Sequence, residues 1–409
     1  MRFHVLHSPL GTLLAYHLRQ TLPQKHVVSL IYNHRDVVPK QNTPNNVLSL
    51  EHSGVIMSIR NVGFESLDPN RRPSNGNPSG PTTAITDAKA SSAHDHDPKP
   101  IESLIVTTPP TATHTVLNSL THRLSPQSTI VLMQTGLGVY ERLITSLFPN
   151  PTRRPHFIIA SPRHGAWLKQ PNHVVHALPG SIDFSIVPDP RGRDFEAILR
   201  SPDMPALSRG LRLTDIANKD NDPDFAEYAS LRNTVAVLSR LDALNVSWLP
   251  MQEGEIVFRR DLVVRAVTDA LAVTLGLPNG ALLSTRTSRK LAEDLIQEIN
   301  GAFRVQWLKE IRAQLPPEQK FGSVPFLPKG LDRRALMGEL VRHLLATKEL
   351  RAPMLGDVQT GTPTQLRYGL GYLFEIGRAY DFPMPTTLAL IRTISARESI
   401  GKNTKFVKT

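Results

Sequence analysis

Cysteine is absent from the 409 residues. That excludes a disulfide framework, thiolate zinc sites, iron–sulfur clusters and a thiolate nucleophile, and it leaves the redox compartment open. No run approaches the roughly 18 consecutive apolar residues that a helical membrane span needs. Acid is missing from the start of the chain: Arg2, Arg19, Lys25 and Arg35 all precede Asp36, the first carboxylate. A basic, acid-free start with an apolar stretch from Gly11 to Leu22 has the composition of a mitochondrial targeting segment. Residues 2–6 also read as a strand, and 11–22 as the helix after it. Cleavage would therefore cut into the fold, and a retained signal is expected.

What is present in excess is positive charge. Lys and Arg number 47 against 36 Asp and Glu, a balance of +11. This suits a polyanionic partner such as RNA, an anionic membrane surface or a phosphorylated cofactor; many organelle proteins are also simply basic. The length predicts two or three domains. Four apolar runs, Phe3–Leu6, Val27–Tyr32, Leu104–Thr107 and Thr129–Met133, alternate with helical patterns. Strands that are apolar throughout imply a parallel sheet covered on both faces.

The tract 65–100 is rich in Pro, Ser, Asn, Gly, Asp and His and reads as a disordered insertion; its His94 and His96 belong to a solvated segment rather than a metal site. Residues 191–223 read as a connection between a first domain, 1–190, and a second, 224–400. In the second, Phe225–Leu244, Leu262–Leu275, Ser288–Leu308, Arg333–Thr347, Thr364–Tyr380 and Thr386–Ser399 carry spacings near 3.6 residues, so it is predicted to be all helical. A loop insertion is expected at 313–330 and a basic tail at 401–409.

Six segments then fall in a telling order: VLHSPLGTLLAYHL (5–18), LIYNHR (30–35), LIVTTPPTATHTVLNSLTHRLSPQSTIVLMQTGLG (104–138), RRPHFIIASPRHG (153–165), LPNGALL (277–283) and APMLGDVQTGTPTQ (352–365). Together they resemble the ketopantoate reductase (2-dehydropantoate 2-reductase) family, in particular its fungal-type members. The resemblance implies an α/β N-terminal Rossmann-type domain with a parallel sheet, which binds NADP(H). An all-α C-terminal domain of the 6-phosphogluconate-dehydrogenase-like kind would follow, with the active site in the cleft between them. The implied chemistry is hydride transfer from NADPH to a 2-keto acid, with a lysine as proton donor.

The family's polar machinery is largely replaced. A phosphate loop G-x-G-x-x-G lets backbone N–H groups approach the pyrophosphate. Anchored on Gly11, the first two glycine positions hold Leu6 and Ser8, and Pro9 removes a donor. The resemblance leaves Ser8, Gly11, Arg35 and Gly136 as cofactor-binding candidates, Arg35 standing where NADP-specific members bind the 2′-phosphate. The lysine after the third strand is Pro109, and the asparagine of Q-N-G-x-G is Thr135. The proton-donating lysine position is Asp261, and the two asparagines after it are Arg265 and Asp269. The substrate segment has Pro353 for serine and Gln365 for its acid. No catalytic residue is therefore assigned, and no metal site.

These losses favour a non-catalytic protein with no cofactor, NADP(H) staying an option. Degenerate fungal-type relatives include mitochondrial translational activators for cytochrome b messenger RNA, which implies a matrix location. The resemblance further implies contact with the mitochondrial ribosome or a messenger RNA, and peripheral association with the inner membrane. From Arg142 to Ile182 there is no acid after Glu141, and Arg153, Arg154, Arg163 and Lys169 with Phe157 and Trp167 could form a phosphate-binding, base-stacking surface. Alternatively Phe157 is core and the cations are solvated. The other functional readings are an active NADPH-dependent reductase with a relocated proton donor, and a structural subunit that keeps NADP(H) as a folding ligand.

Overall fold

A computed structural model describes residues 1–33, 47–67, 99–134, 136–202, 205, 209–314 and 326–406. The chain divides into two compact units. One comprises residues 1–108, 114–133 and 146–248, the other residues 109–113, 134–145 and 249–409.

The first unit is built on an eight-stranded sheet. Its central strand is β1 (Arg2–Leu6), followed by α1 (Pro9–Thr21) and β2 (Val27–Tyr32). Two strands, β3 (Leu48–His52) and β4 (Val55–Ile59), belong to a second sheet, and β5 (Gly63–Ser66) returns to the first. Then come β6 (Ser103–Val106), α2 (Pro110–Leu120), β7 (Thr129–Met133), α3 (Val139–Ser146) and β8 (His156–Pro162). The strands β9 (Gly165–Gln170) and β10 (His173–Leu178) join the second sheet, and β11 (Ile182–Ile186) the first. The large sheet has the order β8-β7-β6-β1-β2-β5 in parallel, with β11 antiparallel on β8 and β12 (Val246–Trp248) beyond it. The strand order reverses between β1 and β6, the topological switch point at which open α/β sheets bind ligands. The expected α/β Rossmann-type first half is observed.

Ser8 caps α1 by accepting the Gly11 N–H, and Pro9 supplies a helical φ at the first turn. Every residue from Gly11 to Arg19 is buried, because α1 packs on the large sheet and also against β3, β9 and β10. The Arg19 guanidinium closes the helix by donating to the carbonyls of Leu22, Pro23 and His26.

The division of the chain differs from the sequence expectation. The structure places α4 (Ala197–Arg200), α5 (Leu213–Ile216) and α6 (Phe225–Leu238) in the first unit, which runs to Trp248 rather than ending at 190. Ser230 donates to the Glu102 carbonyl at 2.6 Å and Thr234 to Ser103 Oγ at 3.0 Å, so α6 lies on the sheet. The stretch 191–223 is no spacer: Phe195, Ile216 and Ala217 are core, and Arg193 pairs with Asp222 while stacking 4.0 Å above the Tyr228 ring. Of the insertion 65–100, residues 65 and 66 complete β5 and 68–98 lie outside the described residues.

The second unit is helical, as expected. The 25-residue α7 (Met251–Leu275) ends at a left-handed Gly276 and is surrounded by α8 (Arg286–Gln314), α9 (Arg333–Ala346), α10 (Pro353–Thr360), α11 (Leu370–Ala379) and α12 (Pro385–Phe406). Its core includes Val263, Val267, Leu271, Ile296, Phe303, Leu340 and Ile394. The insertion expected at 313–330 begins inside α8, and residues 315–325 lie outside the described ones. The tail expected at 401–409 is instead the end of α12 as far as Phe406.

Candidate functional site

At the switch point a chain of side-chain hydroxyls takes up the Gly11 N–H. Gly11 N–H donates to Ser8 Oγ at 2.9 Å, Ser8 Oγ donates to Thr107 Oγ1 at 2.8 Å, and Thr107 donates to the Leu6 carbonyl at 2.7 Å. This chain of hydroxyls ties the end of β1 to the end of β6 and to the start of α1. Gly11 is needed for packing: a Cβ there would stand 2.1 Å from the Leu6 oxygen and 2.6 Å from Thr107 Oγ1.

The carboxyl end of β2, where a dinucleotide's ribose would lie in this fold class, is occupied by side chains of the chain itself. The His7 ring stacks on Tyr32 with centroids 4.1 Å apart. His7 Nε2 donates to the Pro171 carbonyl at 2.9 Å, and the fully buried Tyr32 directs its hydroxyl to the same oxygen at 3.4 Å. Pro171 sits in the turn between β9 and β10, so the small sheet reaches over the ends of β1 and β2. Arg35 lies outside the described residues.

In the helical unit, Pro109 is exposed, and its carbonyl accepts the Thr113 hydroxyl at 3.1 Å. Thr113 also donates to Gln134 Oε1 at 2.8 Å. Gly136 adopts φ +121°, and a Cβ there would lie 3.1 Å from Tyr368 and 3.3 Å from Pro110. This candidate therefore packs on protein. Thr135 lies outside the described residues.

Asp261, Arg265 and Asp269 stand at i, i+4 and i+8 on one face of α7. Asp261 is buried, with Arg260 Nε 3.9 Å away. The Asp269 carboxyl accepts the Met354 N–H in the first turn of α10; burial pushes it up to about 7, against the pull of that N–H and of Arg265. Burial and then Glu398 also raise Asp357, while burial and then Arg265 lower His343. Buried Thr364 donates to Glu398 at 2.7 Å, Pro353 opens α10, and half-buried Gln365 offers its carbonyl to Tyr368 N–H at 2.9 Å. Asp261, Arg265 and Asp269 thus form an acid–arginine–acid face on α7.

The four cations expected to form a nucleic-acid surface are not brought together. Arg153 and Arg154 precede β8 and Arg163 follows it, a separation of some 20–30 Å at a strand rise of about 3.3 Å per residue. Arg154 donates to the Phe148 carbonyl, Arg163 pairs with Asp183 at 2.8 Å and Lys169 with Glu51 at 3.1 Å. Phe157 is core, whereas Trp167 is 51% exposed on β9. Among the described residues no group of three or more His, Asp or Glu is placed to hold a metal, and no helix is long and apolar enough to cross a membrane. His94 and His96 lie outside the described residues.

Sequence reading missed a histidine cluster on the far face of α1. His164 Nδ1 is 3.0 Å from His176 Nε2 and accepts the Gly180 N–H, while His164 Nε2 donates to the Leu244 carbonyl. His52 lies 5.3 Å from His176 between ring centroids. Burial, and then repulsion from neighbouring imidazoles, holds His17 and His176 down at about 4, and burial lowers His164. All four come from separate segments, so no local pattern announces them.

The family described as "Ketopantoate reductase PanE/ApbA" matches residues 10–189, and "Ketopantoate reductase PanE/ApbA C terminal" matches 259–398. A Schizosaccharomyces pombe protein named "Probable 2-dehydropantoate 2-reductase" is 26% identical over 203 residues, half of this chain and half of that protein's length. Among solved structures, D-mandelate dehydrogenase with NADH and anilino(oxo)acetate has a TM-score of 0.64 at 14% identity, covering 98% of this chain and 99% of the other. A PanE/ApbA family ketopantoate reductase from Ralstonia eutropha gives 0.63 at 13%, with 98% and 100% covered. At these identities the likeness is one of fold.

Proposed function

Because the chain belongs to the ketopantoate reductase PanE/ApbA family, we propose that it is a member that has lost hydride-transfer chemistry and uses the scaffold for binding. The observation that supports this reading is the acid–arginine–acid face of α7, where the sequence resemblance puts Asp261 at the proton-donor position. A carboxylate repels a 2-keto acid's own carboxylate, and general acid catalysis of the kind lost is worth about 10²–10⁴-fold.

NADP(H) is the cofactor that a Rossmann domain of this family implies, and the residues present do not fit it. Pyrophosphate binding needs free N–H groups at the start of α1. Here Pro9 has none, the Gly11 N–H is held by Ser8 Oγ, and His7 with the Pro171 turn fills the ribose end.

The finer role in this proposal is mitochondrial gene expression, through messenger RNA or the ribosome at the matrix face of the inner membrane. The acid-free N-terminus and the charge of +11 support it. Both parts are tested on one tagged preparation. Titration with NADPH is expected to show no saturable binding up to about 1 mM; a micromolar dissociation constant, about −8 kcal/mol, contradicts the account. RNA or ribosomal protein is expected to co-purify from mitochondria, and its absence removes the finer role.

One observation favours a second reading, an active reductase with a relocated donor. Asp269, at about 7, holds a proton over much of the neutral range. Its engagement with the Met354 N–H gives it an alternative, structural role as the cap of α10.

A further inference from the structure

An open groove of about 510 Å³ runs between α8 and α9 in the helical unit. Its rim is cationic. Arg289 comes from α8, and Arg333 and Arg334 from the first turn of α9, opposed by a single carboxylate, Glu293. Glu293 lies 3.6 Å from Arg333, and Arg289 and Arg334 have no ion-pair partner among the described residues. Two arginines at a helix N-terminus add to the positive end of its dipole instead of opposing it. No acid stands in that turn, and the preceding Asp332 is engaged in capping the Ala335 N–H.

The floor is aliphatic, formed by Met337, Gly338 and Val341. Glycine inside a helix is destabilising relative to any ordinary residue. At Gly338 nothing in the protein demands it, since no atom lies within 4 Å of where its Cβ would be. The missing side chain leaves a hole in the groove floor that an incoming apolar side chain can enter.

We propose that the α8–α9 groove docks an acidic amphipathic helix of another protein, with one apolar side chain seated over Gly338 and carboxylates on Arg289, Arg333 and Arg334. Helix-in-groove recognition uses such an apolar anchor with flanking polar contacts. Charge complementarity selects an acidic partner. A second copy of this chain is a poor occupant, because two molecules of charge +11 repel each other. RNA is also disfavoured, since sequence-tolerant binding of single strands relies on aromatic platforms and this floor has none. The proposal is independent of whether the protein is catalytic.

The test uses the full chain and a fluorescein-labelled helical peptide with leucines on one face and glutamates on the other, followed by anisotropy. Saturable binding that weakens as salt is raised is expected. Gly338→Leu fills the hole while keeping every charge and favours the helix, so it should fold and weaken binding about tenfold or more. The pair Arg289→Glu and Arg334→Glu should do the same by charge reversal, and the parallel loss in two unrelated variants guards against a folding artefact. No saturable binding, or binding indifferent to both variants, overturns the proposal. So does a groove that takes single-stranded RNA in competition with the peptide while ignoring Gly338→Leu.

Discussion

Gly11→Ala is expected to destabilise the protein by about 3 kcal/mol, the upper end of what overpacking costs. The new Cβ would stand 2.1 Å from the Leu6 carbonyl oxygen, which is backbone of the central strand and cannot rotate away. Relief requires α1 to lift from β1, and α1 is buried along Gly11–Arg19 beneath both sheets. The lift would also break the Ser8–Thr107–Leu6 hydroxyl chain. At about 2–4 °C per kcal/mol for a unit of this size, melting should fall by roughly 6–12 °C. The loss should be the same with and without NADPH, because the glycine is held by packing. A melting point equal to the parent's would show that the helix can shift freely and that this packing account is wrong.

Acid should separate the two units. In the sheet unit His17, His156 and His176 are held at about 4, each first by burial. His176 and His164 then repel a charged His17, and His164 and His52 a charged His176, while His156 faces Arg191, whose Nη2 lies 2.9 Å from its Nδ1. The unfolded chain protonates these imidazoles near 6.5. Between about 6.5 and 4 it therefore binds more protons than the folded unit, and stability falls as the pH falls. The three losses add. Glu65, held at about 2 by His4 and Arg123 despite burial, extends the loss below its usual range. In the helical unit Asp269 works in the opposite sense. Its folded value near 7 exceeds the unfolded one, so stability rises as the pH falls from 7 towards 4. The three tryptophans separate the units, Trp167 and Trp248 in one and Trp307 in the other. Urea denaturation of variants that keep one tryptophan at a time should show the sheet unit weakening by pH 4.5 while the helical unit holds. A joint loss, or none, would contradict the assigned histidine environments.

The strands β1, β2, β6 and β7 were legible because they are buried on both faces, which leaves an uninterrupted apolar run. The second sheet was not: β4 is exposed except at Ile59 and β9 is exposed at Trp167, Lys169 and Gln170, and such strands carry no strong period. The helix α6 was legible as a helix but not as part of the sheet unit, since amphipathic spacing does not say what the apolar face meets. The acid-free span after Glu141 misled for a related reason. Its cations find Glu51 and Asp183, which lie outside it in sequence and beside it in space. The replaced positions on α7 were legible only through the family resemblance. What stands around them, including the Met354 N–H on Asp269, depends on how α7 and α10 pack.

The central claim, loss of hydride transfer, is tested most directly by following NADPH absorbance with 2-dehydropantoate and related 2-keto acids at pH 7. The account predicts no oxidation above the enzyme-free rate. Turnover at about 1 s⁻¹, an ordinary enzyme rate, that disappears in Asp269→Asn would contradict it and place the proton donor on Asp269.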